Sequence, residues 1–159
     1  MPNTLLFELS CKSEKETADL AALMAGLIEP GVIIALTGDL GAGKSTFARA
    51  FIRARLDDPE AEVPSPTFTL VQTYDDPTSV EIWHADLYRL NDPEEVYELG
   101  LDDARTEAIC LIEWPDRMPA GWWNSALEMK LNISAQGERT VAFYGEATRW
   151  LDVLARLSA

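Results

Sequence analysis

The sequence predicts an α/β fold: a central mixed sheet, parallel at its core, extended by antiparallel hairpins and flanked by helices. Three observations predict it. Two short runs, residues 32–36 (VIIAL) and 108–112 (AICLI), are continuously apolar, as strands buried on both faces are. Two further regions alternate apolar and polar residues around turn sequences, the pattern of half-buried hairpins. Elsewhere apolar residues recur at helical spacing behind capping signals. The chain has 159 residues, a length that predicts one domain over residues 1–159. A domain of this size buries roughly 68–70% of its unfolded surface, enough for a core without staples.

The elements follow in order. Residues 4–9 (TLLFEL) read as a short first strand. Ser13 and Glu16 form a capping box, behind which Leu20, Met24 and Leu27, with Ala21, make one apolar helical face. Pro30-Gly31 ends that helix. The buried run VIIAL comes next, then a glycine-rich turn, then a helix with Phe47, Phe51 and Ile52 on one side. Residues 69–74 and 80–86 read as a hairpin about the turn DDPTS. Asp92 caps a short helix, with Pro93 at its first position, and Gly100 ends it. After AICLI, Leu127, Met129, Leu131 and Ile133, with Val141 and Phe143, alternate about Gln136-Gly137 as a second hairpin. Trp150, Leu151, Leu154 and Leu157 mark a C-terminal helix.

Charge and composition exclude several classes of function. Thirteen Lys and Arg stand against 27 Asp and Glu, a net charge of −14, which repels a phosphodiester backbone. Two readings follow: acidity that keeps the chain soluble, or work on nucleic acid through a protein partner. With no apolar run near the roughly 18 residues of a membrane span and no signal peptide, the expectation is a cytoplasmic protein. Cys11 and Cys110 form no metal-ligand spacing, and His84 is the single histidine, so a zinc site is not expected.

Residues Gly38, Asp39, Leu40, Gly41, Ala42, Gly43, Lys44 and Ser45, followed by Thr46, fit the pattern G-x-x-x-x-G-K-[ST]. Each position has a chemical reason. The glycines let backbone amides converge on a phosphate without side-chain obstruction. The helix that follows adds the positive end of its dipole. Lys44 would reach the β- and γ-phosphates, and the Ser45 hydroxyl would ligate Mg²⁺. The motif lies between a buried strand and an amphipathic helix, as this chemistry requires. No guanine-reading [NT]-K-x-D is present, so ATP is the expected nucleotide.

Phosphoryl transfer needs a second group on the metal and a residue that places the nucleophile. Glu113 closes the buried run AICLI, which makes it the expected second ligand of Mg²⁺. Alternation puts Ile82, His84 and Asp86 on one strand face, so Asp86 reaches the same region if the two strands are neighbours. Ser65 and Thr67, between Pro64 and Phe68, read either as a γ-phosphate-sensing loop or as a proline-stiffened turn. His84 reads as a strand histidine before it reads as a base. Trp122-Trp123 reads as a folded-back lid on the core before it reads as a partner patch.

Five blocks in order, GDLGAGKSTF from Gly38, SPTFTLV from Ser65, HADLYRL from His84, ELG from Glu98 and IEWP from Ile112, resemble the TsaE (YjeE) family of bacterial ATPases of tRNA threonylcarbamoyladenosine biosynthesis. The resemblance implies a P-loop NTPase fold, ATP or ADP with Mg²⁺ as ligand, and work with the proteins TsaD and TsaB. It implies contact with tRNA only through that complex, with hydrolysis resetting the complex while carbamoyl transfer belongs to TsaD. By position, it implies that Lys44 and Ser45 hold phosphate and metal, Glu113 binds Mg²⁺, Asp86 is needed for hydrolysis, and Trp114 sits near the nucleotide. Ser65 and Thr67 would form a switch-like loop, and residues near Glu14 would touch the adenine. Arg139 corresponds to a nucleotide-contacting arginine, although Glu138 separates it from Gly137 where the family often reads Gly-Arg. Ser45 stands where the family often has Thr, which keeps the hydroxyl.

Two rival functions share the phosphate loop. A small-molecule kinase recruits several arginines to clamp its acceptor, whereas the nine arginines here are scattered. A binding switch with negligible turnover would need the nucleotide but neither carboxylate.

Overall fold

The computed structural model describes residues 4–39 and 41–157. Strand β1 (Thr4–Cys11) leads to helix α1 (Glu14–Ala25), strand β2 (Val32–Gly38) and helix α2 (Lys44–Leu56). A hairpin of β3 (Val71–Asp75) and β4 (Glu81–Asp86) follows, then helices α3 (Glu95–Glu98) and α4 (Leu101–Glu107), then β5 (Ile109–Glu113). A second hairpin, β6 (Ala126–Ile133) and β7 (Arg139–Gly145), precedes helix α5 (Ala147–Leu157). All of these strands join one sheet in the order β1-β7-β6-β2-β5-β4-β3. Strands β6, β2, β5 and β4 run parallel, and β1, β7 and β3 add antiparallel edges.

Strand alternation divides the apolar residues between two cores. Ile34 and Leu36 of β2, Ile82 of β4 and Ile109 and Leu111 of β5 pack with Met24 of α1, Phe47 and Phe51 of α2 and Trp150 of α5. On the other face Ile33, Ala35, Ala85, Cys110 and Ile112 pack with Val96, Leu101, Met118 and Trp122. A buried side chain of this kind contributes about 1.5–3 kcal/mol, so both helical layers are held by the sheet they cover. Arg55, on the last turn of α2, ties the layers' edges. It donates to the carbonyls of Ala25 and Ile28 and, at 2.8 Å, to Asp76 in the turn between β3 and β4.

Local signals explain most boundaries. The Ser13 hydroxyl accepts from the Glu16 amide at 3.2 Å, and Glu16 accepts from the Lys12 amide at 3.0 Å. Asp92 accepts from the Glu94 amide, and Glu95 returns a bond to the Asp92 amide, so Asp92 caps the turn from which α3 starts. Trp122 is buried and meets Tyr97 edge-on, with Trp123 packed beside it, so the pair is a folded-back lid.

Four expectations need correction. Helix α1 stops at Ala25 with Gly26 at its C-cap, so Leu27 lies outside it and Pro30-Gly31 does not end it. Residues 69 and 70 are not strand: the Leu70 amide bonds back to the Pro66 carbonyl at 2.6 Å, and Leu70 has φ of +69°, so the chain turns before β3 begins. The short helix begins at Glu95, with Glu94 rather than Asp92 at its N-cap, and Gly100 ends it as expected. At φ of +84° Gly100 then redirects the chain into α4, whose Leu101 and Ala104 are buried. The first strand runs on to Cys11, paired with Arg139 across the edge of the sheet.

Candidate functional site

The parallel strands finish level with one another. Glu113 at the end of β5 is in register with Leu36 of β2 on one side and with Asp86 of β4 on the other. Ligands of open α/β sheets bind beyond such carboxyl ends. Here the glycine-rich turn leaves β2 at that edge. A Cβ at Gly38 would collide with the Leu131 carbonyl oxygen, so only glycine lets the chain turn there. Gly43, with φ of +110°, caps α2 with no side-chain hydrogen bond, which leaves the first amides of the helix available to an anion. A Cβ at Gly41 would meet nothing within 4 Å, so this side of the loop is open.

Lys44 is 6% exposed and is held by the chain itself. Its Nζ donates to the Gly38 carbonyl at 2.6 Å and lies 4.0 Å from the centroid of the Trp114 ring. The Trp114 backbone is left-handed, φ +57°, and its ring lies 4.9 Å from that of Tyr88, tilted by 49°.

The two acids are buried and separately held. Asp86 accepts from the Tyr88 amide at 3.0 Å through Oδ1 and from the Thr67 hydroxyl at 3.2 Å through Oδ2. Thr67 Oγ1 is in turn 2.7 Å from Ser65 Oγ, so the loop between α2 and β3 is fastened to β4. Glu113 Oε2 is 2.7 Å from His84 Nε2.

A cleft of about 240 Å³ brings the expected residues together. Gly41, Gly43, Lys44, Ser45 and Thr46 line it from the loop, and Asp86, Glu113 and Trp114 from the strand ends. Ser65 and Thr67 close one side and Glu14 another. Gly38, Asp39 and Ala42 shape the turn but do not line the cleft, and Leu40 lies outside the described residues. Arg139 is set back: its Nη1 is 3.8 Å from where a Gly43 Cβ would stand. Grooves of about 330 Å³ beside α5 and 410 Å³ between α1 and α2 are larger but are lined by none of Lys44, Asp86 and Glu113. Tyr88, which bonds Asp86 and covers Trp114, was not anticipated; its place two residues beyond Asp86 was the available signal.

Among the described residues no group of three or more His, Cys, Asp or Glu side chains can cage a metal. The hard oxygen donors present, Ser45, Asp86 and Glu113, suit a Mg²⁺ ion that completes its shell with phosphate oxygens and water. The glycine cradle and free helix amides suit the phosphates themselves.

The chain is similar to known proteins over most of its length. Residues 11–141 match the family model described as threonylcarbamoyl adenosine biosynthesis protein TsaE. The tRNA threonylcarbamoyladenosine biosynthesis protein TsaE of Rickettsia felis is 39% identical over 131 residues, covering 82% of this chain and 75% of that protein. Its namesake from Bacillus subtilis is 32% identical over 149 residues, covering 91% and 89%. The crystal structure of Bacillus subtilis YdiB superposes with a TM-score of 0.72 at 26% identity, covering 96% of this chain and 93% of that one. A family match over most of the chain, joined to a fold that agrees throughout, places this protein in the TsaE family.

Proposed function

We propose that this protein is the Mg²⁺-dependent, ATP-hydrolysing subunit of tRNA threonylcarbamoyladenosine biosynthesis, acting in the cytoplasm with TsaD and TsaB. The observation that carries the proposal is the convergence of Lys44, Asp86 and Glu113 on one cleft beside the glycine loop. Lys44 leaves the Gly38 carbonyl to bind the β- and γ-phosphates, while the amides at the start of α2 hold their remaining oxygens. Ser45 and Glu113 hold Mg²⁺, which neutralises charge on the phosphates. Asp86 orients the attacking water, and the Thr67 hydroxyl fixes the Asp86 carboxylate for that task. Glu14, which lines the cleft, contacts the adenine in this reading. Arg139, which does not line the cleft, has no nucleotide contact in this reading.

The acidic surface fits a subunit that meets tRNA only through its partners. No described helix is long and apolar enough to cross a membrane. Co-purification with TsaD and TsaB in the presence of ATP, followed by a hydrolysis assay with and without them, tests the proposal. ATP-dependent association and a partner-dependent rate of ADP and phosphate release are expected. Equal rates with and without partners, or phosphate transfer to a metabolite, would sink it.

A further inference from the structure

The pair His84–Glu113 is the most enclosed polar contact next to the cleft. Both side chains are buried, and their Nε2 and Oε2 atoms are 2.7 Å apart. His84 itself does not line the cleft. It stands on β4 between Gln72 of β3 and Leu111 of β5 and reaches diagonally to Glu113, the last residue of β5. Its other ring nitrogen, Nδ1, is buried with no hydrogen-bond partner among the described residues. A polar ring buried with one nitrogen orphaned costs stability. Packing alone therefore does not account for it, because the preceding inward residue of the same strand is the apolar Ile82.

Of the two neutral tautomers, the geometry favours one. A carboxylate only accepts. With the proton on Nδ1, the Nε2 lone pair would oppose the carboxylate at 2.7 Å and a buried N–H would be left unpaired. With the proton on Nε2, the short contact is a hydrogen bond and the orphan is only a lone pair.

We infer that His84 is a positioning residue: it donates Nε2–H to Glu113 Oε2 and so fixes the carboxylate with its second oxygen committed to the cation. This rests on the reading of Glu113 as a Mg²⁺ ligand. Outer partners of this kind orient ligands and commonly carry 10–100-fold of metal affinity.

The single histidine of the chain makes the tautomer directly readable. In protein labelled with ¹⁵N-histidine, the ring correlations should show a protonated Nε2 and a bare Nδ1; protonation on Nδ1 alone would overturn the inference. A second measurement follows ADP binding by calorimetry across a Mg²⁺ series. In His84→Asn and His84→Phe, half-maximal Mg²⁺ should rise about tenfold or more, with ADP affinity in the absence of metal unchanged. His84→Gln, whose amide nitrogen takes the place of Nε2, should stay within about threefold of the parent. Parental Mg²⁺ dependence in the Asn and Phe variants, or a loss in Gln equal to that in Phe, would overturn the positioning role. Glu113→Gln separates the two readings. If it loses Mg²⁺ dependence while His84→Phe keeps it, only the role of His84 falls. If Glu113→Gln keeps it, the metal-ligand reading falls and takes the inference with it.

Discussion

The ammonium of Lys44 rests 4.0 Å from the centre of the Trp114 indole while bonding the Gly38 carbonyl at 2.6 Å. The phosphate-binding charge is thus held on the chain by one carbonyl and one ring, and a nucleotide must compete with both. Lys44→Ala should lower ATP affinity by about 100-fold, the loss of charge-assisted hydrogen bonds to the phosphates, with the fold intact. Calorimetry with ATP reads the affinity. Protein fluorescence should also change on ATP binding in the parent and much less in Trp114→Phe.

Asp86 is predicted to act after binding. In Asp86→Ala, ATP affinity should stay within about threefold of the parent, whereas single-turnover hydrolysis should fall by about 100-fold or more, the scale of a lost acid–base or water-positioning group. Thr67→Val, which removes the hydroxyl on Asp86 Oδ2, should lower the rate in the same direction by a smaller factor. Parental single-turnover rates in Asp86→Ala would remove it from the mechanism.

Glu113→Ala should shift the Mg²⁺ requirement of nucleotide binding. A direct ligand is worth at least as much as an outer partner, so the Mg²⁺ needed for half-maximal binding should rise by about tenfold or more. Titrations of ADP with and without Mg²⁺ check this, and the metal-free affinity should be little changed.

The Arg55–Asp76 pair sets an acid limit on stability. Burial of Asp76 on its own would raise its pKa, but hydrogen bonds from Thr78, from the Val80 amide and from Arg55 outweigh it and bring the value from the usual 3.8 to about 2. A depressed carboxyl pKa stabilises the fold above the unfolded value, and that contribution is lost as pH falls through the folded one. The loss should run from about pH 4 to about pH 2. Asp76→Ala, which leaves a buried guanidinium without its counter-charge, should cost about 3 kcal/mol at neutral pH by urea denaturation. It should also flatten the acid dependence.

Both thiols should be silent in the native protein. Burial pushes the Cys110 thiol up to about 12 and raises that of Cys11 as well. A thiol-disulfide reagent at pH 8 should therefore detect almost none of the two cysteines until guanidinium unfolds the chain, when both should react.

Much of this arrangement was legible in the sequence because single-period signals control it. Continuous apolar runs at 32–36 and 108–112 read as central strands, and the glycine pattern between Gly38 and Lys44 follows directly on the first of them. Alternation placed His84 and Asp86 on the face of Ile82, where they lie beside Glu113. The rest depended on contacts between distant segments. Helix α4 carries Asp102 and Asp103 in its first turn and is only seven residues long, so its pattern is weak, and the preceding Gly100 reads as a stop. The turn that brings Thr67 onto Asp86 needs a left-handed Leu70, which no local preference announces. That His84 faces Glu113 follows from strand order, which spacing alone does not supply.

Trp114 stands immediately before Pro115, and proline disfavours helical backbone in the residue that precedes it. A bulky residue held at φ of +57° in that setting carries on the order of 1–3 kcal/mol of conformational strain. The tension sits in the hinge of the indole that shields the phosphate-binding lysine. Glycine would release that tension but would also remove the indole packed on Lys44 and Tyr88, so the strain persists because the contacts of the ring hold the backbone in place.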